Sequence, residues 1–469
     1  MMFDLFYKCR VFILLTVAVA VGQACILSSS LDRPSQKPVP SFFLGGIQVN
    51  EPDHAKWTHA LTEVGMNTVA VTIYARQGDW DSDNLWYDEE AKWVVHEIRA
   101  AKQAGLHVVL ILRVALDHAY VRNRFLWHGM IMPRTPTLLR SWFLKYREFA
   151  NKWALIAEKE GVDVFGVGSE LNALTSTTPV DSLPGILHYF LDEDQQQHYR
   201  EALLRQEERL DTRYLRGAWG QTYNSLNHYI DDRARAEHAW AKTMSFGQNL
   251  NTINERRSLL KRLWVELIQE LRTVYSGPLT YAANFDQYHE VTFWKELDYI
   301  GINAYFPLRA KPSTELDPTA LYPVLEDAWV DILQGIENFR QQEGLDSQPV
   351  IFTELGYTFR LNSTIEPWAS DGFSLLEVDV DSNLIIWEER RVNYQERALA
   401  VRALRQAANK IQVKRTGQTH NFDYQNNLLR GILYWKLSTL EEHEKIEPFV
   451  LIVGPHPPDP LLAELLAFM

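Results

Sequence analysis

The chain has 469 residues, of which 46% are hydrophobic and 12% aromatic, so it can bury a large core in one big domain or in two to three smaller ones. Its formal net charge of -13 at pH 7 and the absence of a long Lys/Arg run argue against binding to the phosphate backbone of nucleic acids. A neutral or cationic partner suits this charge better.

The N-terminal residues 1–24 are typical of an export signal, because a basic stretch precedes the apolar run VFILLTVAVAV, which is too short to span a bilayer comfortably. The sequence VGQAC resembles a bacterial lipobox and predicts lipidation at Cys25 and a tether over 25–40, although Gly22 stands where a lipobox usually has leucine. Ordinary cleavage near Ala24 and a retained membrane anchor are the alternatives. We expect an exported lipoprotein of a bacterial cell envelope, in the periplasm or at the outer membrane, or otherwise a secreted protein.

From about residue 41, short apolar runs rich in β-formers alternate with helical patterns, which is typical of a parallel sheet with crossover helices. Near-continuous apolar runs are expected where both faces of a strand are buried. Eight such runs separated by helices predict a closed (β/α)8 barrel, the TIM barrel, over residues 41–469. The predicted strands cover residues 42–49, 67–75, 107–116, 162–171, 279–285, 297–306, 349–357 and 428–437.

Two long segments interrupt the barrel pattern. Residues 172–247, after the fourth strand, are predicted to form an inserted, partly helical subdomain at the carboxyl ends of the strands. The stretch NTINERRSLLKRLWVELIQELRTV that follows is predicted to supply the next barrel helix. A smaller insertion at 359–391 follows the seventh strand. The clearest helix precedes the fourth strand and carries a predicted core stripe of Trp142, Phe143, Tyr146, Phe149 and Trp153.

Glu170 and Glu354 each stand at the carboxyl end of a predicted strand, in the apolar runs VFGVGSEL and VIFTELGY. A charge in such a run is either a functional group at the mouth of the barrel or an ion-paired or solvated glutamate. Retaining glycoside hydrolysis needs two carboxyl groups about 5 to 5.5 Å apart, one to protonate the leaving oxygen and one to attack the anomeric carbon. The pair therefore indicates a glycosidase.

Paired glutamates on strands four and seven characterise clan A glycoside hydrolases, and several segments resemble glycoside hydrolase family 113, the β-mannanase family. The resemblance implies that Glu170 is the acid/base and Glu354 the nucleophile. It also implies that Tyr305 hydrogen-bonds the nucleophile and that Trp435 forms the floor under the sugar bound at the cleaved bond. The similar segments, which span nearly the whole barrel in order, are WHGMI, WFLKYREFANKWALIAEKEGVDVFGVGSEL, LTYAANFDQ, LDYIGINAYFPL and FTELGY.

The physical chemistry of the two carboxyl groups is consistent with these roles. A phenol donor beside a carboxylate stabilises its ionised form, whereas burial or the nucleophile's charge is expected to raise the pKa of the acid. The alternative interpretations are that Tyr305 is a core tyrosine bonded to the backbone and that Trp435 packs the barrel.

One residue departs from the pattern of clan A, which commonly has asparagine directly before the acid/base where this chain has Ser169. Either another amide binds the sugar 2-hydroxyl or the substrate differs at that position. Asn284 at the end of the fifth strand is the first candidate, with Asn303 and Asn172 as the others. The alternative for Asn284 is that it ends the strand for turn geometry.

Arg113 and the loop after it are also predicted to lie near the site. An arginine within a barrel strand is costly unless paired, so Arg113 is predicted to bind a carboxylate there. The chain then runs through Asp117 and His118 to Trp127. These residues are predicted to line the glycone side of the site, or otherwise to form an ordinary solvated loop.

No metal and no cofactor are predicted, because the fourteen histidines contain no HExxH or similar ligand set and neither cysteine lies within the mature barrel. The leading function is retaining, endo-acting hydrolysis of a β-linked polysaccharide or oligosaccharide, with β-mannan favoured by the resemblance. We expect a monomer that meets the membrane only through its lipid anchor. The alternatives are an exo-acting or transglycosylating enzyme on another glycan and a catalytically inactive carbohydrate-binding barrel.

Overall fold

The structure, a computed structural model, describes the barrel and parts of its insertions. The predicted signal segment, Cys25 and nearly all of the predicted tether lie outside the described residues. The described residues are 40–48, 51–87, 91–123, 126–175, 250–310, 317–368, 373–379, 384–389, 391–416, 427–445, 447–454 and 459–469, with isolated residues between 216 and 240.

Eight parallel strands in the described part of the chain form a closed barrel, so the predicted fold is confirmed. The first strand closes the ring, because Gly45 is in register with Thr68 on one side and with Leu433 on the other. A Cβ atom at Gly45 would lie 1.6 Å from the Thr68 carbonyl oxygen, so this close approach requires glycine. The strands are β1 (Phe43–Gln48), β2 (Thr68–Gln77), β3 (His107–Leu116), β4 (Val164–Ser169), β5 (Leu279–Asn284), β6 (Ile300–Asn303), β7 (Val350–Leu355) and β8 (Leu429–Ser438).

Both faces of the strands are buried, which explains their near-continuous apolar sequences. In β3, for example, every residue except Ala115 is buried. The outward faces pack against the surrounding helices, and the inward faces form a second, smaller cluster inside the barrel. The members of the inner cluster are Phe43, Ile47, Ala70, Val109, Ile111, Val164, Ala282, Tyr299, Ile351 and Leu433.

The helices cover the outside of the barrel, and the best defined of them is the one predicted before the fourth strand. Thr135 caps its start by accepting a hydrogen bond from the Leu138 N–H at 3.2 Å, and Gly161 ends it with a φ of 69°. Its aromatic stripe is buried, as predicted. The helices are α1 (His54–Glu63), α2 (Ala91–Gln103), α3 (Pro136–Glu160), α4 (Leu250–Val274), α5 (Pro318–Glu343), α6 (Tyr394–Thr416) and α7 (Pro460–Leu466).

The connection from β5 to β6 differs from the predicted alternation of strands and helices. It contains two 3-10 turns, Tyr288–Glu290 and Trp294–Glu296, in place of an α-helix. The two turns take up the fifteen residues 285–299, so no α-helix lies between these strands. The Trp294 indole N–H donates to the Tyr288 carbonyl at 2.8 Å and closes the compact connection.

The two insertions are described only in part. The predicted subdomain 172–247 begins with a one-turn helix at Asn172–Thr175 and includes a short antiparallel ladder, and most of its other residues lie outside the description. The predicted helix after it is α4. Within 359–391, the segments Phe373–Asp379 and Leu384–Glu389 form an antiparallel pair. None of the described helices is both long and apolar enough to cross a membrane.

Candidate active site

Glu170 and Glu354 both lie at the carboxyl ends of barrel strands. Glu170 follows β4 directly, and its backbone N–H donates to the Ala282 carbonyl of β5 at 2.9 Å. Its φ of 50° lies in the left-handed region, which costs a residue other than glycine about 1 to 2 kcal/mol. Glu354 belongs to β7 and is 2% exposed. Strained backbone of this kind clusters at functional sites, so the conformation of Glu170 supports a role for its side chain.

The Glu354 carboxylate has a hydrogen-bond donor at one oxygen and a cation at the other. The Tyr305 hydroxyl donates to Oε2 at 2.7 Å, and the Arg113 guanidinium forms an ion pair with Oε1. Arg113 lies in β3 and is 5% exposed, so it pairs with a carboxylate as a buried cation requires. Two donors, one of them charged, favour the ionised carboxylate and hold it in one orientation.

The donors of Glu354 also connect it with Glu170. Arg113 and Tyr305 both interact electrostatically with Glu170, so all four side chains belong to one site. Burial raises the pKa of Tyr305 well above its ordinary value, and the negative charge of Glu170 adds to the shift. The phenol therefore keeps its proton at neutral pH and remains a hydrogen-bond donor.

His128 contacts Glu170 and is a site residue that the sequence analysis missed. Its Nε2 atom lies 2.9 Å from Glu170 Oε2. Burial raises the pKa of Glu170, but the hydrogen bond from His128, the charges of His128 and Arg113 and a hydrogen bond from Asn303 outweigh it, and the pKa falls below its ordinary value. This is the opposite of the raised pKa expected for a general acid. The sequence signal was present, since His128 belongs to the WHGMI segment.

The three candidate amides occupy different places. The Asn303 amide donates to Ser169 Oγ at 3.4 Å and also hydrogen-bonds to Glu170. Asn284 Oδ1 accepts from the next backbone N–H at 2.9 Å, which matches the turn interpretation of this residue. Asn172 starts the one-turn helix, and among the described contacts its side chain hydrogen-bonds to neither glutamate. Asn303, rather than the first candidate Asn284, is therefore the amide that contacts Glu170.

Trp435 lies near the end of β8 and is partly buried against the inner barrel cluster. The Arg113 guanidinium carbon lies 4.9 Å from the centre of its ring, and Lys436 Nζ lies 4.2 Å from the same centre. Because Arg113 also pairs with Glu354, these contacts attach the indole to the site. The ring is packed on one side and partly exposed to solvent, so packing against the barrel leaves part of its surface open.

The loop after β3 brings Trp127 beside His128, the partner of Glu170. The Trp127 ring meets the His128 ring edge to face, with centroids 5.1 Å apart, and it covers Gly129 so closely that a Cβ atom there would lie 2.2 Å from the indole. Trp127 therefore helps to position His128. Burial lowers the pKa of His118 to about 4, against the opposing charge of Asp117.

Two further carboxyl groups near the site were not predicted from the sequence. Asp286 follows the end of β5. Burial raises its pKa to about 6, and the negative charge of Glu170 contributes to the increase. Glu447 interacts electrostatically with Tyr305 and Lys436, and burial raises its pKa. Asp286 stands where a turn residue ordinarily does and Glu447 lies in the loop after a 3-10 helix, so only the fold brings them to the site. In the part of the chain described, no three His, Cys, Asp or Glu side chains are grouped to hold a metal ion.

Solved structures share this architecture. A β-mannanase of family 113, AaManA from Alicyclobacillus acidocaldarius in complex with ManMIm, is 16% identical, with 91% of this chain and 97% of that chain covered and a TM-score of 0.53. A β-1,4-mannanase of the same family is 17% identical, with coverages of 91% and 98% and a TM-score of 0.52. At these identities the likeness extends to the fold alone. Comparison with curated proteins gives no match.

The family itself is shown by the sequence. The profile of Glycoside Hydrolase Family 113 matches residues 48–179 and 193–382, which is more than half of the chain. The matched ranges contain Glu170 and Glu354 and most of the predicted insertion at 172–247. The chain belongs to glycoside hydrolase family 113.

Proposed function

We propose that the protein is a retaining β-glycoside hydrolase that works by double displacement. The observation that carries the proposal is the pairing of Glu354 with a phenol donor and a buried guanidinium, in one site with Glu170. A carboxylate with a phenol donor at one oxygen and a cation at the other is favoured in its ionised form and held in one orientation, as a nucleophile requires. Membership of a glycoside hydrolase family supports the reaction class.

In the first step, protonated Glu170 donates its proton to the glycosidic oxygen while Glu354 attacks the anomeric carbon. The bond to the leaving sugar breaks, and an ester bond to Glu354 forms. In the second step, ionised Glu170 takes a proton from water, whose oxygen attacks the same carbon and releases Glu354. Two inversions at one carbon retain its configuration. The hydrogen bond from His128 favours ionised Glu170, which is the form that the second step needs.

The proposed substrate is a β-mannan, cleaved within the chain. Support comes from the family assignment and from the description of similar solved structures as β-mannanases and β-1,4-mannanases. The Asn303 amide, beside Glu170 and Ser169, is the donor proposed for the sugar 2-hydroxyl. The configuration at C2 distinguishes mannose from glucose, so this contact bears directly on substrate choice.

The test is hydrolysis of β-mannan, glucomannan, β-glucan and xylan by the purified protein. We expect cleavage of mannan into mixed oligosaccharides and, by proton NMR, release of the β-anomer before mutarotation. Glu170→Gln and Glu354→Gln should each lower kcat on the order of 10²- to 10⁴-fold or more. The matched control is Glu343→Gln, at an exposed position at the end of α5, which should leave activity unchanged.

Other outcomes of this test would replace the proposal. Release of the α-anomer first would contradict retention. Products of one size from a chain end would indicate exo action, and oligosaccharides longer than the substrate would indicate transglycosylation. Binding of a glycan without cleavage or transfer would favour the inactive carbohydrate-binding barrel.

We further propose that the protein is an exported monomer anchored to the cell envelope through a lipid on Cys25. The support is the signal-like segment 1–24 and the lipobox-like sequence VGQAC. Labelling with a clickable fatty acid should mark the wild type and not Cys25→Ala. The variant should leave the membrane fraction while its barrel stays folded, and labelling of the variant would contradict the proposal.

A further inference from the structure

An aromatic pair lies on the face of the barrel that carries the two glutamates. Phe285 follows β5, and Trp368 belongs to the segment after β7. Their rings are stacked, with centroids 5.4 Å apart and planes inclined by 13°. The edge of Phe306, just beyond β6, supports Phe285 at 5.5 Å. Trp368 remains 45% exposed, so Phe285 holds the indole in place while much of its surface stays open to solvent.

The polar residues next to Phe285 have unused hydrogen-bonding capacity. Asp286 Oδ1 and Gln287 Oε1 are buried, and neither has a hydrogen-bond partner among the described residues. A buried polar atom without a partner costs about 1 to 3 kcal/mol, so two adjacent acceptors of this kind point to a ligand that donates to them. Sugar hydroxyl groups are such donors, and an aromatic face suits the apolar face of a sugar ring.

The position of these residues assigns them to one side of the cleaved bond. Asp286 interacts electrostatically with Glu170. The proposed general acid meets the oxygen of the leaving group, so groups around it face the leaving sugar. Trp435 and Arg113, in contrast, lie beside the nucleophile, which attacks the sugar that is retained.

We propose that Trp368, backed by Phe285, and Asp286 form the binding site for the sugar unit on the leaving-group side of the cleaved bond. The indole stacks on the apolar face of that sugar, and the Asp286 carboxyl accepts a hydrogen bond from one of its hydroxyl groups. The inference rests on the proposed function, because Glu170 must be the general acid for its side of the site to hold the leaving group.

The experiment compares a substrate that has a leaving sugar with one that has none. β-1,4-Mannohexaose places sugar units on both sides of the cleaved bond, whereas β-mannobiosyl fluoride leaves a single fluoride ion. Trp368→Ala is expected to lower kcat/KM for the hexaose about tenfold and to leave kcat/KM for the fluoride within about twofold, since one decade corresponds to about 1.4 kcal/mol. Trp368→Phe should recover most of the loss, and Asp286→Ala, which removes the acceptor, should also lower kcat/KM for the hexaose selectively.

Leu155→Ala, at an exposed apolar position on α3, is the matched control and should change neither rate. Equal losses on both substrates, or no loss on the hexaose, would overturn the inference, and circular dichroism checks that each variant is folded.

If the wild type cleaves no glycan, the proposed function fails, and a measurement of glycan binding then tests the proposed sugar site. The affinity of the Glu354→Gln protein is measured for mannohexaose, cellohexaose and xylohexaose. Adding Trp368→Ala to this protein should weaken its affinity for the hexaose that binds best by about tenfold. Unchanged affinity, or no binding of any of them, would overturn the site.

Discussion

Replacing Asp286 with asparagine is expected to stabilise the protein at neutral pH and to leave its stability at pH 4 nearly unchanged. The reason is the cost of ionising this carboxyl group in the folded state. Burial raises the pKa of Asp286 to about 6, and the negative charge of Glu170 contributes to the increase. Asp286 Oδ1 lacks a hydrogen-bond partner among the described residues. Asparagine has a similar shape and carries no charge at any of these pH values.

The magnitude follows from proton linkage. The pKa of an aspartate in an unfolded chain is about 3.9, so Asp286 binds its proton more tightly when the protein is folded. Between pH 4 and pH 6 the folded state therefore holds more protons than the unfolded state, and the free energy of unfolding falls as the pH rises. A shift of about 2 pKa units corresponds to about 3 kcal/mol in the free energy of unfolding. The wild type has this stability at low pH and has lost it above pH 6. The Asp286→Asn protein keeps this stability as the pH rises, because asparagine does not ionise.

The assay is urea unfolding of wild type and Asp286→Asn at pH 4, 5, 6 and 8. The difference in the free energy of unfolding should rise from near zero to about 3 kcal/mol and then level off. Asp331→Asn, at an exposed position on α5, is the control and should show no such dependence on pH. A constant difference at all four pH values, or a less stable variant at pH 8, would refute the reasoning.

Three further substitutions test other parts of the site and the barrel. His128→Asn removes a hydrogen bond and a charge that lower the pKa of Glu170, so the pKa of Glu170 should rise. The basic limb of the pH profile of kcat/KM should then move to higher pH, and a limb at the same pH as in the wild type would contradict the effect of His128 on Glu170. Tyr305→Phe removes one donor from Glu354 and should lower kcat roughly tenfold or more with little change in KM, as measured by steady-state kinetics. Gly45→Ala would place a Cβ atom 1.6 Å from a backbone oxygen of β2, so circular dichroism should show loss of the native fold; a native spectrum with normal thermal stability would refute this.

The sequence predicted the barrel and the position of both glutamates because these features are local. A strand buried on both faces has an apolar run, and a glutamate at its carboxyl end interrupts that run visibly, as Glu170 and Glu354 do. The 3-10 connection between β5 and β6 was missed because the alternation of strands and helices was extended to every connection of the barrel.

The contacts of the site could not be predicted in the same way. His128 reaches Glu170 from a loop 42 residues earlier, and no periodicity in the sequence links the two. Asp286 follows a strand, where aspartate is an ordinary turn residue, so only the fold reveals its burial and its missing partner. For Asn284 the sequence left two interpretations open, and the hydrogen bond to the following backbone N–H favours the turn.

The surroundings of the two glutamates explain why residues of one type can take different roles. Glu354 lies between a guanidinium and a phenol that keeps its proton, and neither partner can accept a proton from it near neutral pH, so this carboxylate is suited to attack carbon. Glu170 meets an imidazole, which can both donate and accept a proton. A group that must be protonated in one step and ionised in the next benefits from such a partner. The different partners of Glu170 and Glu354 therefore match the division of work that double displacement requires.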